Sequence, residues 1–131
     1  MAIQPRNMEV LSHFTLHPTT SETSSFTGAT TNIADLVSLD GDIQLILDSN
    51  AGTGGTTTLA LTVQHSNTTT DGDFVAFSPA VSFTSLTTVA SKQVLTISKD
   101  DARRYIRLVT TQGAGSTYVY SVNGYGVAKV Q

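Results

Sequence analysis

Apolar residues along this chain alternate with polar ones instead of recurring every three or four positions, the spacing of β-strands rather than helices. DIQLILD (42–48) sets Ile43, Leu45 and Leu47 on one face and Gln44 and Ile46 on the other. TLALTVQHS (58–66) groups Leu59, Leu61, Val63 and His65 against Thr58, Ala60, Thr62 and Gln64. KQVLTIS (92–98) aligns Leu95 with Ile97. RYIRLVTT (104–111) puts Arg104, Ile106 and Leu108 on one face and Tyr105, Arg107 and Val109 on the other. STYVYSV (116–122) brings Tyr118 and Tyr120 together, and GVAKVQ (126–131) ends the pattern. Earlier, SHFTLH (12–17) sets Phe14 and Leu16 opposite His13, Thr15 and His17, with both histidines toward solvent. FVAF (74–77) and AVSF (80–83) are short strands separated by Pro79, which lacks a ladder donor and marks a break or an edge. The predicted core is Ile43, Leu45, Leu47, Leu59, Leu61, Val63, Leu95, Ile97, Ile106 and Leu108.

Turn residues punctuate these strands. SNAGTGGTT, rich in Gly and Thr, predicts a flexible hairpin loop between 42–48 and 58–66, and QGAG a second hairpin between 104–111 and 116–122. No helical stretch is long enough for the crossovers of a parallel sheet. The pattern predicts an all-β protein: an antiparallel β-sandwich, jelly-roll-like, of about eight strands, with an extended N-terminal segment. Residues 1–32 are read as an N-terminal arm and first strand, and 33–131 as the sandwich, one domain overall. PTTSETSSFTGATTN (18–32) is too long for a tight turn and predicts an exposed arm or a long inter-strand loop. So polar a segment has little apolar surface to offset its ordering, which suits an arm ordered by a neighbouring subunit. Ile3 and Met8 are the apolar anchors that such an arm offers.

Composition narrows the chemistry. At 131 residues the chain fits one domain with a sizeable core. With no cysteine it has no disulfide framework and no thiolate metal site. Charged residues are only 13% of the chain, against roughly 25% in ordinary soluble domains. Its surface is therefore expected to be a neutral skin of Thr, Ser, Asn and Gln. A net charge of −3 offers nucleic acid no general attraction, so direct nucleic-acid binding is not expected. MAIQPRNMEV lacks the apolar core of a signal peptide, and no run approaches the roughly 20 apolar residues of a membrane helix. The sequence thus reads as a soluble protein made without a secretion signal and without membrane contact.

Three groups of residues invite a chemical role. DARRYIRLV (101–109) holds three of the seven Lys and Arg residues. Alternation divides them between two faces, which argues against both a catalytic cluster and a phosphate stripe. Asp100 and Asp101 are placed to pair with Arg103 or Arg104. The sharper reading is that Arg103, Arg104 and Arg107 serve the rim or reach a neighbouring subunit, where a planar fork suits carboxylates and carbonyls. The triplets Asp40-Gly41-Asp42 and Asp71-Gly72-Asp73 each precede a strand, and turn chemistry accounts for them better than calcium does. His13, His17 and His65 lack the companions and spacing of a zinc site, and His65 is read as a partly buried structural residue. No nucleophile–base pattern, phosphate loop or metalloprotease motif is present, so neither an enzyme nor a cofactor is expected.

Three stretches together resemble a known group: SLDGDIQLILDSNAGTGGTTTLALTVQHS, then TTDGDFVAF, then KQVLTISKDDARRYIRLVTTQGAGSTYVYSVNGYG. Across about residues 35–126 the chain is similar to head decoration, or cement, proteins of tailed bacteriophages with a jelly-roll fold. The resemblance implies a structural virion protein that binds the outside of the major capsid protein shell and stabilises it. It implies the capsid surface as location, assembly in the host cytoplasm, and self-association as a homotrimer or homodimer. It brings no catalytic residues. Two other roles suit the same residues. One is a tail-spike, fibre or receptor-binding β-domain. The other is a carbohydrate-binding sandwich, for which Tyr118, Tyr120 and Tyr125 are the aromatic group in a chain without Trp.

Overall fold

The computed structural model describes residues 11–29 and 32–129. They form nine strands: β1 (Leu11–Glu22), β2 (Ala34–Asp35), β3 (Leu39–Ser49), β4 (Thr53–Gly54), β5 (Leu59–Ser66), β6 (Val75–Ser82), β7 (Ser91–Ser98), β8 (Tyr105–Gln112) and β9 (Ser116–Ala128). One sheet runs β1-β9-β3-β7, with β4 added to β9, and the other runs β2-β8-β5-β6. All pairings are antiparallel. The chain switches sheet at most connections and the last strand lies between the first and third. That is the double-sheet jelly roll. Among the described residues no helix is long and apolar enough to cross a membrane.

Inward-facing residues of both sheets build the core. Ile43, Leu45, Leu47, Leu59, Val63, Ile106 and Leu108 are fully buried, and Leu61 and Ile97 nearly so. Leu95 is half-buried at the margin of that core. The core also takes residues beyond those ten: Leu16, Leu36, Leu39, Phe77, Phe83, Leu86, Tyr118, Tyr120 and Val122. Burying a large aliphatic or aromatic side chain is worth about 1.5–3 kcal/mol, so this shared layer is the main stabilising term.

Neither predicted hairpin forms. β3 and β5 lie in different sheets, as do β8 and β9. Their Gly-rich connections carry the chain across the gap and dock on each other. The Thr56 amide donates to the Ala114 carbonyl, and the Gly113 amide to that of Thr58. A Cβ on Gly113 would strike the Thr56 carbonyl. The true hairpin joins β5 to β6 through a short 3-10 turn at Asp71–Asp73. Alternation tells which face a side chain takes but not which strand lies beside it, so strands adjacent in sequence need not pair. Pro79 does not divide two strands either. It lies within β6, an outer strand, where the ladder shifts register between Val63 and Gln64.

The polar N-terminal stretch is largely ordered on the sandwich. β1 extends to Glu22, and the next residues cross β8, where the Gly28 amide donates to Leu108 and the Thr110 amide to Phe26. Phe26 lies partly buried against the core. Backbone pairing, which composition does not reveal, holds this segment down.

Candidate interaction surface

The arginine-bearing stretch leads into β8, a central strand, and the structure sends its three guanidinium groups to three environments. Arg107 is buried, although its face was expected to be open. The β5–β6 connection folds over the outside of the sheet and closes on it. Arg107 Nε and Nη2 donate to Gln64 Oε1 at 3.0 and 2.8 Å, and Nη1 donates to Asp71 Oδ1 at 2.6 Å. Its guanidinium carbon lies 4.3 Å from the centre of the Phe74 ring. Arg107 therefore fastens the β5–β6 connection, with three of its five N–H donors used inside the chain and its side chain only 7% exposed. Arg104 makes a two-pronged bond to Asp35 of β2, at 3.1 and 2.9 Å, rather than to the neighbouring aspartates. That bond holds the Asp35 carboxyl below the usual carboxylate range. Asp35 lies 69 residues away in the chain, so the pair depends on β2 lying beside β8.

Arg103 differs from both. Its backbone amide donates to His65 Nδ1 at 3.2 Å, and its exposed side chain borders two clefts. One, of about 350 Å³, lies among Leu36, Val37, Asp40, Lys99, Arg104 and Lys129. Burial, with Lys129 nearby, lowers the pKa of Lys99 there. The other, of about 400 Å³, opens between β6 and β7, floored by Phe77, Val81 and Ile97 and rimmed by Thr96, Ser98 and Asp101. His65 is buried and stacks on Phe77 at 3.9 Å between ring centres. Desolvation, then the Arg103 charge, depresses its pKa below the usual histidine value. Of the five residues named as interface candidates, Arg103 remains placed for a partner, Arg104 is shared with Asp35, and Arg107 is internal. Ile3 and Met8 lie outside the described residues.

His17 is the largest departure from the sequence reading. The β1–β9 register shifts between Thr15 and His17, so the two histidines do not share a face. His13 stays exposed beside Tyr125 at 5.1 Å between ring centres. His17 turns fully inward, stacks on Tyr120 at 3.9 Å, and bridges the Tyr120 carbonyl and the Glu22 carboxylate. A bulge of this kind leaves no mark in an alternating sequence. Tyr118 and Tyr120 are also buried, which removes them from any aromatic row offered to sugars. Burial pushes the Tyr120 hydroxyl up to about 12. Three of the four triplet aspartates have local uses, Asp71 as the Arg107 partner already described. Asp40 accepts from the Gly41 amide, and Asp73 accepts from Thr68 Oγ1 at 2.6 Å. Among the described residues no group of three His, Asp or Glu side chains is placed to hold a metal ion.

Fold and surface define a jelly-roll sandwich whose polar groups mainly fasten its own loops. No protein-family model matches the chain, and no curated protein matches it in sequence. Solved structures share the fold. The SPBc2 prophage-derived protein YomS is 12% identical, with a TM-score of 0.54 over 98% of this chain and 99% of that one. The infectious bursal disease virus VP2 subviral particle gives 15% identity and a TM-score of 0.55 over 91% of this chain. The match spans only 33% of VP2.

Proposed function

We propose that this chain is a structural virion protein, a decoration or cement protein that seats on the outside of a major capsid protein shell and stabilises it. The observation that carries the reading is a jelly roll whose overlay on a prophage-derived protein spans nearly the whole of both chains. The likeness of the same sandwich to one third of a viral particle protein supports it. So does a sparsely charged surface that keeps Arg103 at the mouths of two clefts. Contacts to the shell come from Arg103, from Arg104 beside it, and from the first ten residues through Ile3 and Met8. The chain binds neither nucleic acid nor membrane in this role and catalyses no reaction.

Purified chain mixed with shells of the capsid protein encoded beside it tests the reading. Co-sedimentation and a higher shell melting temperature are expected, weakened by removing residues 1–10. Absence of such a neighbouring gene, or a chain left in the supernatant at saturating shell, overturns it.

A further inference from the structure

Besides the two-residue β4, which pairs only with β9, the sandwich has four outer strands, and three are closed to further pairing. β1 contains Pro18 and shifts register twice against β9. β6 contains Pro79 and its own shift. β2 is two residues long. Proline, irregular register, shortness and edge charges, lysine above all, are the devices by which sheets avoid joining edge to edge. β7 has only the last, in the single charge of Lys92. Its eight residues keep unbroken register with β3, from Asp42 opposite Ser98 to Ser49 opposite Ser91. Among the described residues, the only backbone-to-backbone bond to it from outside a strand is the Asp101 amide on the Ser98 carbonyl, in the turn that leaves the strand. Thr84 reaches only its inward side chain, the amide donating to Gln93 Oε1 and the carbonyl accepting from Gln93 Nε2, and the Asp100 amide donates to Ser98 Oγ. Lys92, Val94 and Thr96 alternate along its outer face. Val94 is 63% exposed and sits opposite the half-buried Ile46 of β3.

We propose that β7 is a self-pairing edge. Two copies of the chain join β7 to β7, antiparallel, about a twofold axis at Val94, and their sheets become one. An antiparallel neighbour in the same sheet sets outward residues opposite outward residues, so the axis falls at Val94 or at Leu95. At Val94 the exposed valine meets the partner's Val94, and the row from Ile46 to the partner's Ile46 is apolar throughout. At Leu95 the valine would face the partner's Thr96 and the row would be broken. Charge favours the same arrangement. Lys92 is the one charged residue of β7. Antiparallel pairing at Val94 sets it opposite the partner's Thr96, about 13 Å along the strands from the partner's Lys92. A parallel join would place the two lysines side by side, which is unfavourable. The self-complementary patch is the form a twofold interface requires. The pairing does not depend on the capsid reading, so each can fail alone.

The natural chain has no cysteine, which makes single-cysteine variants clean probes. In sedimentation at high micromolar concentration the intact chain is expected at twice its 13.8 kDa. Val94→Cys should cross-link to a dimer with a short bis-maleimide. Val37→Cys, half-exposed at another part of the surface, should not. Val94→Lys puts two charges on the axis and should give a monomer with unchanged circular dichroism. A chain that stays monomeric at millimolar concentration overturns the proposal. So does a Val94→Lys dimer, equal cross-linking of both cysteine variants, or capture of a foreign extended peptide by β7 while the chain alone remains a monomer.

Discussion

Two arginines three positions apart have opposite energetic meanings. Arg104 and Asp35 form a well-shaped pair, but both are open to water, so their attraction is screened and offset by side-chain ordering. Arg107 is enclosed and holds three bonds. Arg107→Ala leaves Gln64 Oε1 without its donors and opens space against Phe74. It should lower unfolding free energy in urea by about 1–3 kcal/mol. Arg107→Lys should recover little, because one ammonium cannot replace the planar fork that meets Gln64 and Asp71 together. His65 sets a pH dependence. Its Nδ1 accepts the Arg103 amide, so protonating that nitrogen would oppose two donors. With its folded pKa depressed below the ordinary 6.5, stability from the neutral ring is complete above that value. It is lost as pH falls from there through the folded pKa. Replacing His65 with Gln should remove this step from the pH profile of urea midpoints; a profile identical to the parent's would show that another group causes it.

At the scale of elements, packing across the gap and docking of loops carry the structure. Leu61 lies in the middle of β5 and is 1% exposed. Leu61→Ala should cost about 2–5 kcal/mol, and a cost below about 0.5 kcal/mol in chemical denaturation would refute the strand's assigned facing. Gly113→Ala tests the loop pair instead. The added methyl meets backbone, which cannot rotate aside as a side chain does, so the docked loops must part. Its melting temperature should fall clearly below the parent's, whereas Gly72→Ala, with open space around the new methyl, should change little.

For the whole molecule, the interdigitated jelly-roll order makes nearly every pairing distant in sequence. Closing such loops before their contacts form is slow, so refolding in the millisecond-to-second range is expected by stopped-flow. Asp40, Asp71 and Asp73 serve turns and an ion pair, and no group of three carboxylates or histidines gathers among the described residues, so chelation should leave the melting temperature unchanged. A fall of several degrees with EDTA would return Asp40, Asp42, Asp71 and Asp73 to consideration as calcium ligands.

Alternation by itself determined that this is an all-β sandwich and which of Ile43, Leu45, Leu47, Leu59, Leu61, Val63, Ile97, Ile106 and Leu108 face inward, because a strand's two faces follow directly from a period of two. Cysteine-free composition excluded a disulfide framework in the same direct way. Strand partnership was decided only in three dimensions. The Gly-rich connections read as hairpin turns, yet they cross between sheets, because which strand lies alongside depends on the closure of the whole barrel-like stack. The burial of His17 rests on a one-residue bulge, and that of Arg107 on a loop folding back over the sheet. The Arg104–Asp35 pair joins residues 69 positions apart. Each is a meeting of distant segments, and local periodicity holds no information about such meetings.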